Sequence, residues 1–366
     1  MGGRINVTFA ELLQSAVIHG ASDILIIAGL PTSLKIGGKI TRICSDRLTS
    51  AEAEGMVRDS YAAAGRSIEK LEKHGDDDFS FSVAGLSRFR VNAFRQRGSL
   101  ATVIRVVGFD MPDSRKLGIP ESVLSLCEQT KGLILVTGPA GSGKSTTLAC
   151  MVDRINATRG GHIITIEDPI EYLHKHKNGV VTQRELTADT ETYHSALRAA
   201  MRQAPDVILV GEMRDHETIG AAMTAAETGH LVISTLHTLG AAKTIDRVVD
   251  AFPPAQQQQI RVQLAAVLQG VVSQQLVECR PEASASGVAP AFEIMRCNSA
   301  VRTMIRESKL HQLDGVIQTS QREGMVSMES SLELLVEQGV VTPEAAIRAS
   351  FSPERLAKRL GYTETK

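Results

Sequence analysis

The sequence predicts an α/β protein with two domains, a smaller α+β domain followed by a parallel β-sheet that carries helices on both faces. The chain has 366 residues, of which 43% are hydrophobic, enough for two ordinary cores. Apolar and polar residues alternate strictly over residues 77–107, while short apolar runs alternate with helical patterns after residue 121. A stretch rich in Gly, Pro and Asp, residues 108–120, separates the two patterns and is expected to be a linker.

The first domain, residues 1–107, is expected to begin with a helix over residues 8–20 that Thr8 caps. Two short extended runs follow, the second broken by a Gly-Gly turn, and then one helical segment over residues 50–74. The alternating residues 77–107 predict a three-stranded meander. These elements together indicate a small α+β domain.

One strand of the meander, "SRFRVNAFRQR", has a basic face. Its period of two places Arg88, Arg90 and Asn92 on one side and apolar residues on the other. A solvated strand face is the simpler interpretation. The alternative is that Arg90, with Arg105 on the next strand, reaches a γ-phosphate.

The stretch "VTGPAGSGKSTTLAC" predicts a phosphate-binding loop. It fits GxxxxGK[ST], an apolar strand precedes it, and a helical pattern follows. Glycines allow backbone N–H groups to converge on phosphates at a helix N-terminus, where Lys144 would contact the β- and γ-phosphates and Ser145 would bind Mg²⁺. The residues expected to bind the nucleotide are Gly138, Pro139, Ala140, Gly141, Ser142, Gly143, Lys144, Ser145 and Thr146.

Three later strands end in polar residues that would face the same crevice, because ligands bind at the carboxyl ends of parallel strands. Glu167 ends the strand in "ITIEDPIEY", and Glu212 follows the strand in "PDVILVGEMRD". We expect Glu212 to contact Mg²⁺, through water, and Glu167 to polarise the attacking water. His237 ends the strand in "GHLVISTLHT" and could sense the γ-phosphate, although a lone histidine is more often structural.

Composition excludes several other classes of protein. The net charge of −1 provides no general attraction to nucleic acid or anionic lipid, and four Tyr, nine Phe and no Trp provide few residues on which bases could stack. The five cysteines form no CxxC pair, so neither a disulfide framework nor a zinc site is expected. No signal-peptide pattern and no membrane-spanning run occurs, which predicts a cytoplasmic protein.

Taken in order, these motifs resemble the type IV pilus retraction ATPases, the PilT-like branch of the type II/IV secretion ATPase superfamily. "ITIEDPIEY" resembles that family's Asp box, "PDVILVGEMRD" its Walker B strand and "GHLVISTLHT" its His box. "SAVRTMIRESK", residues 299–309, resembles an element associated with retraction ATPases. The resemblance covers roughly residues 8–345.

The resemblance implies a RecA-like P-loop ATPase core over residues 121–290, an N-terminal PAS-like domain and a C-terminal helical region over residues 291–366. It implies ATP and Mg²⁺ as ligands and catalytic roles for Glu167, Glu212, His237, Arg90 and Arg105, with Ser145 and Glu212 at the metal. It also implies a ring-shaped homohexamer that docks on an inner-membrane pilus platform protein, without nucleic acid and without a membrane span.

The expected function is therefore a motor that couples ATP hydrolysis to pilus retraction and twitching motility. An accessory retraction ATPase is the nearest alternative. Pilus-extension and type II secretion ATPases are longer chains with a tetracysteine insertion, which this sequence lacks. A nucleic-acid translocase is a remote alternative.

Overall fold

The computed structural model describes residues 7–283 and 286–362. The chain divides into two compact units. One holds the chain up to Asp110 together with Glu171–Leu173, and the other holds Met111–Ile170 and the chain from His174 onward.

The first unit is built on one antiparallel sheet of six strands in the order β3-β2-β1-β6-β5-β4. Its helices are α1 Phe9–Ile18, α2 Ser50–Ala63 and α3 Glu69–His74, and its strands are β1 Asp23–Ile26, β2 Ser33–Ile36, β3 Lys39–Arg42, β4 Asp76–Val83, β5 Ser87–Gln96 and β6 Ser99–Val107. Thr8 caps α1 in a reciprocal capping box with Glu11, as the sequence predicts.

The helical segment predicted over residues 50–74 is two helices rather than one. α2 ends at Ala63, and Gly65 follows with a φ of +60°, in the left-handed region where a helix cannot continue. The meander is confirmed, since β5 pairs antiparallel with both β4 and β6. The predicted alternation holds as well: Phe89, Val91 and Ala93 of β5 are fully buried, while Arg90 and Asn92 are exposed.

The second unit contains a seven-stranded sheet in the order β13-β12-β7-β11-β10-β8-β9. Its strands are β7 Gly132–Thr137, β8 His162–Glu167, β9 Val180–Glu185, β10 Val207–Val210, β11 Leu231–Leu236, β12 Leu268–Glu278 and β13 Val288–Arg296. Its helices are α4 Glu121–Leu124, α5 Lys144–Thr158, α6 Tyr193–Ala200, α7 His216–Glu227, α8 Ala241–Asp250, α9 Pro254–Val267, α10 Ser299–Arg306, α11 Leu313–Thr319, α12 Met328–Glu337, α13 Pro343–Ala349 and α14 Pro353–Arg359.

Helices cover both faces of this sheet. Along β7, Leu133 and Leu135 pack into one hydrophobic cluster with α6 to α11, while Ile134 and Val136 pack into another with α4 and α5. All four side chains are fully buried. Strands buried on both faces have no polar side to alternate with, which is why their sequences are uninterrupted apolar runs.

The sheet extends beyond the four apolar strands that the sequence identified. β9 pairs in parallel with β8 at one edge, and β12 pairs in parallel with β7 on the other side. β13 then pairs antiparallel with β12 over nine positions. The boundary expected at residue 290, between core and C-terminal helices, falls inside β13, because this hairpin continues the core sheet.

The last three helices, α12, α13 and α14, pack on the β12–β13 hairpin through a small apolar cluster. Met328 and Leu332 of α12 contribute to it, and Val277 and Ala291 contribute from the two strands. Within the described ranges, no helix is both long and apolar enough to span a bilayer.

Candidate active site at the carboxyl edge of the second sheet

The phosphate-binding loop joins β7 to α5 in the predicted order of strand, loop and helix. Gly141 and Gly143 have φ values of +75° and +87°, which only glycine adopts without strain. A Cβ on Gly138 would lie 2.2 Å from the carbonyl oxygen of Gln274, and a Cβ on Gly143 would lie 2.8 Å from Nε2 of Gln274. Conformation and close packing therefore both require glycine in this loop.

Gln274 on β12 is a site residue that the sequence motifs did not identify. It is 3% exposed and lies against the phosphate loop, and its Oε1 accepts a hydrogen bond of 2.7 Å from the Thr147 hydroxyl in the first turns of α5. The two residues are 127 positions apart. Their contact exists because β12 pairs with β7, the strand that leads into the loop.

Lys144 is folded back over the phosphate loop. Its Nζ donates to the carbonyl oxygens of Gly138 at 2.9 Å and Pro139 at 2.8 Å, and its side chain is buried. An ammonium group has three donors, which suits it to phosphate oxygens as well as to loop carbonyls. The Lys144 ammonium group is therefore held over the phosphate loop.

The ends of β7, β11, β10 and β8 meet at one edge of the sheet, since these strands pair in parallel. Leu236 pairs with Thr137, and Val210 pairs with both Ser234 and Ile166. The phosphate loop, His237 and Glu212 follow their strands and Glu167 ends β8, so all of them share this edge. The sequence predicted this grouping from the parallel arrangement alone.

Glu212 and His237 are in direct contact. The Nε2 atom of His237 lies 3.1 Å from Oε1 of Glu212, and Arg214 donates from Nη2 to Oε2 at 2.7 Å. Burial by itself would raise the pKa of Glu212, but the hydrogen bond from Arg214 and the charges of His237 and Arg214 outweigh it and lower the pKa. Glu212 is therefore an ionised carboxylate at neutral pH.

Glu167 has a different environment, although it ends a neighbouring strand. Its Oε1 accepts hydrogen bonds from the Thr165 hydroxyl at 2.6 Å and from Nε2 of Gln183 on β9 at 3.0 Å. These two donors orient the carboxylate. Glu212 is thus contacted by the basic side chains of Arg214 and His237, and Glu167 by a hydroxyl and an amide donor.

Gly211 occupies the position where many phosphate-loop enzymes place an aspartate, and packing explains the glycine. A Cβ here would lie 3.0 Å from the Tyr193 hydroxyl, 3.2 Å from the Ile166 carbonyl and 3.4 Å from Cα of Glu167. Burial and the charges of Asp168 and Glu212 raise the pKa of Tyr193, so its hydroxyl stays protonated. Tyr193 is a second residue of this edge that no motif identified.

Arg90 and Arg105 belong to the first unit, whereas the other candidate site residues belong to the second. They are direct cross-strand neighbours on β5 and β6, and both are exposed. Arg105 is paired through Nε with Asp23 at 3.1 Å. The two guanidinium groups form one basic patch on the sheet, and their contact with a nucleotide stays a prediction.

An open cavity of about 620 Å³ adjoins the phosphate loop. Gly143, Thr146 and Thr147 border it at the start of α5, and apolar residues of β12, β13 and α12 form much of its wall. A site that holds a phosphorylated ligand needs such a volume beside the phosphates, mostly apolar with a few polar groups.

The loop suits a nucleotide phosphate on three further observations. The hydroxyl of Ser142 is buried without a hydrogen-bond partner among the described residues, and it faces the backbone at Gly138. Gly143 begins α5 without a side-chain cap, and the N-terminus of a helix is a favourable place for an anion. Ser145 is exposed in that first turn, where a hydroxyl can bind a metal ion held by phosphates.

Comparison with known proteins agrees with this geometry. Residues 4–348 match the family model described as "Type II/IV secretion system protein". The chain is 42% identical to a twitching motility protein of Neisseria gonorrhoeae, over 96% of this chain and 93% of that protein. It is 44% identical to the type IV pilus retraction ATPase PilT of Pseudomonas aeruginosa, over 94% of this chain and 98% of that protein.

A solved structure of the pilus retraction motor PilT with bound ADP has the same fold. It superposes with a TM-score of 0.84 at 46% identity, covering 95% of this chain and 98% of that one. The α/β architecture expected from the sequence, an N-terminal domain followed by an ATPase core, is confirmed by this match. The chain belongs to the type II/IV secretion ATPase family, in the branch of the PilT-like retraction ATPases.

Proposed function

We propose that this chain is an ATPase that retracts type IV pili and so drives twitching motility. The observation that carries the proposal is the carboxyl edge of the second sheet, where the phosphate loop, Glu167 and the Glu212–His237 pair lie together in a chain that aligns with retraction ATPases over nearly its whole length. Hydrolysis would take place at this edge.

The residues have distinct roles in the proposed reaction. Lys144 exchanges its two carbonyl partners for phosphate oxygens, and Ser142 donates its otherwise unpaired hydroxyl to a phosphate. Glu167, oriented by two neutral donors, accepts a proton from the attacking water. His237, in contact with Glu212, would respond to the presence of the γ-phosphate.

Ser145 and Glu212 fit a role in binding Mg²⁺, Ser145 directly and Glu212 through water. Bound Mg²⁺ supplies charge neutralisation on the β- and γ-phosphates. Among the described residues, no three His, Cys, Asp or Glu side chains cluster as a metal site. This composition suits an ion that arrives with the nucleotide, because Mg²⁺ commonly binds one or two protein oxygens, several waters and substrate phosphates.

We further propose that six copies form a ring at the cytoplasmic side of the inner membrane, where they dock on the pilus platform protein. In a closed ring, Arg90 and Arg105 of the first unit would reach a nucleotide and stabilise charge on its γ-phosphate. Residues 108–120 would act as the hinge between the two units during each cycle.

Deleting the gene and restoring it as wild type or as Lys144→Ala tests the proposal. A retraction motor predicts surplus surface pili and no twitching in the deletion strain, with recovery only by the wild-type gene. Cells without pili would instead indicate extension, and cells that retain most of their twitching would indicate an accessory role. Retraction and accessory ATPases share these motifs, so this phenotype decides between them.

A further inference from the structure

A buried carboxylate lies behind the loop of residues 237–240, which we call the His loop. Glu293 on β13 is 4% exposed, and its Oε1 accepts a hydrogen bond of 2.8 Å from the backbone N–H of Ala241, the first residue of α8. Ser273, its direct cross-strand partner on β12, accepts from the N–H of Gly240 at 2.9 Å. Gly240 has no side chain with which to cap α8, so the two strands supply the cap.

Glu293 joins two helix starts. Its carboxylate also faces the backbone of Met328, where α12 begins, and this N–H favours the ionised form. A negative charge at a helix N-terminus strengthens such bonds, through the charge itself and through the helix dipole. The ionised form of Glu293 therefore holds the starts of α8 and α12 more firmly than the neutral form does.

The position of His237 depends on the start of α8. Only three residues separate His237 from Ala241, and the hydroxyls of Thr238 and Thr244 lie 2.8 Å apart, which ties the His loop to the first turn of α8. His237 in turn contacts Glu212. A shift of the α8 start would therefore move His237 relative to Glu212.

The C-terminal tail packs at the same point. A Cβ on Gly240 would lie 3.3 Å from Cε2 of Phe351, so the ring of Phe351 is in contact with the end of the His loop. The carbonyl of Ala349 accepts from Nε2 of Gln275 at 3.0 Å, and the Ser350 hydroxyl donates to Glu329 at 3.3 Å. The two residues just before Phe351 thus anchor the tail to β12 and α12.

The charges around Glu293 come from three helices that border a cavity of about 30 Å³, large enough to hold water. Asp314 of α11, Glu329 of α12 and Arg355 of α14 face this cavity with Glu293. Burial raises the pKa of Glu293 to about 7, and the negative charges of Asp314 and Glu329 act in the same direction. The hydrogen bond from Ala241 lowers the pKa but does not outweigh them. Its charge therefore changes close to neutral pH.

We propose that Glu293 is a positioning residue of the ATPase site, which together with Phe351 holds the His loop so that His237 stays against Glu212. The proposal rests on the proposed ATPase function. It assigns the tail beyond residue 345 a part in the catalytic cycle, since the tail contacts the loop directly.

Steady-state kinetics of Glu293→Gln in the full-length protein test the proposal, with Glu354→Gln, an exposed carboxylate of α14, as the control. The Gln side chain is neutral at every pH, so kcat at about pH 8 should fall about tenfold with an unchanged KM for ATP, the size expected when a catalytic group is misplaced. Wild-type kcat should fall between about pH 8 and pH 6 as Glu293 is protonated, whereas the Glu293→Gln profile should lose this limb. A Glu293→Gln variant with the wild-type pH profile overturns the proposal.

Amide hydrogen exchange provides a readout that does not depend on activity. Exchange at Ala241 and in the His loop should accelerate in Glu293→Gln and in Phe351→Ala, and should stay at the wild-type rate in the Glu354→Gln control. Accelerated exchange in a protein that hydrolyses no ATP would refute the proposed function and leave the positioning role intact. Unchanged exchange in both variants, with ATP turnover present, refutes the positioning role alone.

Phe351→Ala serves as a second variant in case Glu293→Gln does not fold. Phe351 is 37% exposed, and its removal leaves no buried polar group unpaired. This variant should lower kcat in the same direction as Glu293→Gln but keep the pH-dependent limb, since Glu293 is still present.

Discussion

Glu212 and His237 follow different strands, yet Oε1 of one lies 3.1 Å from Nε2 of the other. The contact arises because β10 and β11 are adjacent and parallel, so the two strands end side by side and the residues after them lie close together. Arg214 binds the second oxygen of Glu212. The carboxylate that the sequence assigns to the metal is thus already held by two basic side chains.

Replacing Glu212 by Ala should lower ATP turnover about 10²- to 10³-fold, the range found when one preorganised electrostatic contact to the reacting groups is removed. ADP affinity should change little, since the phosphate loop is intact. Turnover and calorimetric ADP binding measure the two effects. Glu217→Ala, on the neighbouring helix α7, is the control, and wild-type turnover in Glu212→Ala would refute the assignment.

Lys144→Ala should abolish nucleotide binding as well as turnover. The lysine is buried and already bonded to two loop carbonyls, so its removal deletes the phosphate donor and leaves those carbonyls without their partner. Fluorescent ADP titration measures the loss. Lys131→Ala, which lies just before β7, should bind ADP as the wild type does.

Gly211→Ala should destabilise the protein by about 1–3 kcal/mol, as overpacking in a filled core does. The new methyl group would meet the Tyr193 hydroxyl at 3.0 Å and the Ile166 carbonyl at 3.2 Å. Adding Tyr193→Phe removes the closer of these contacts and should recover part of the loss. Urea unfolding of the single and double variants measures this recovery, and strictly additive effects would show that Tyr193 is not the obstacle.

Arg90→Ala should lower turnover only where copies of the chain assemble. In the proposed ring, Arg90 reaches a nucleotide from the first unit, so its removal should reduce kcat by about 10-fold or more, as the loss of an arginine contact to phosphate does. Arg95→Ala, an exposed arginine on the same strand, is the matched control. Equal turnover in the two variants, at concentrations where light scattering detects the oligomer, argues against the arginine role.

The free energy of unfolding should depend on pH through Glu293. Its folded pKa of about 7 lies above its ordinary value of 4.5, so the folded state retains the proton over a pH range in which the unfolded chain has lost it. Stability is therefore highest below about pH 4.5 for this group and falls by about 3 kcal/mol as pH rises to about 7. In Glu293→Gln this fall should be absent, which urea unfolding at several pH values can measure; an identical fall in both proteins would show that another group titrates.

Much of the fold could be predicted because it is encoded locally. Thr8 and Glu11 cap α1 within one turn, the alternation in β5 separates buried Phe89 from exposed Arg90, and the apolar run of β7 leads directly into the phosphate loop. Where the structure differs from the predictions, the difference is due to a single residue or to one long-range strand pairing. Gly65 divides a predicted helix, and β13 carries the sheet past residue 290 through its pairing with β12.

By itself, the sequence determined the phosphate loop, the parallel strands and the acidic residues at their ends, since motif, period and strand direction are properties of neighbouring residues. Only the tertiary structure decided which side chains support them. Gln274 meets Thr147 from 127 residues away, Glu293 meets Ala241 from 52 residues away, and Tyr193 packs over Gly211. Strand pairing and helix packing create these contacts. A local sequence pattern cannot predict them, because the partners are far apart in the sequence and meet only in the folded sheet.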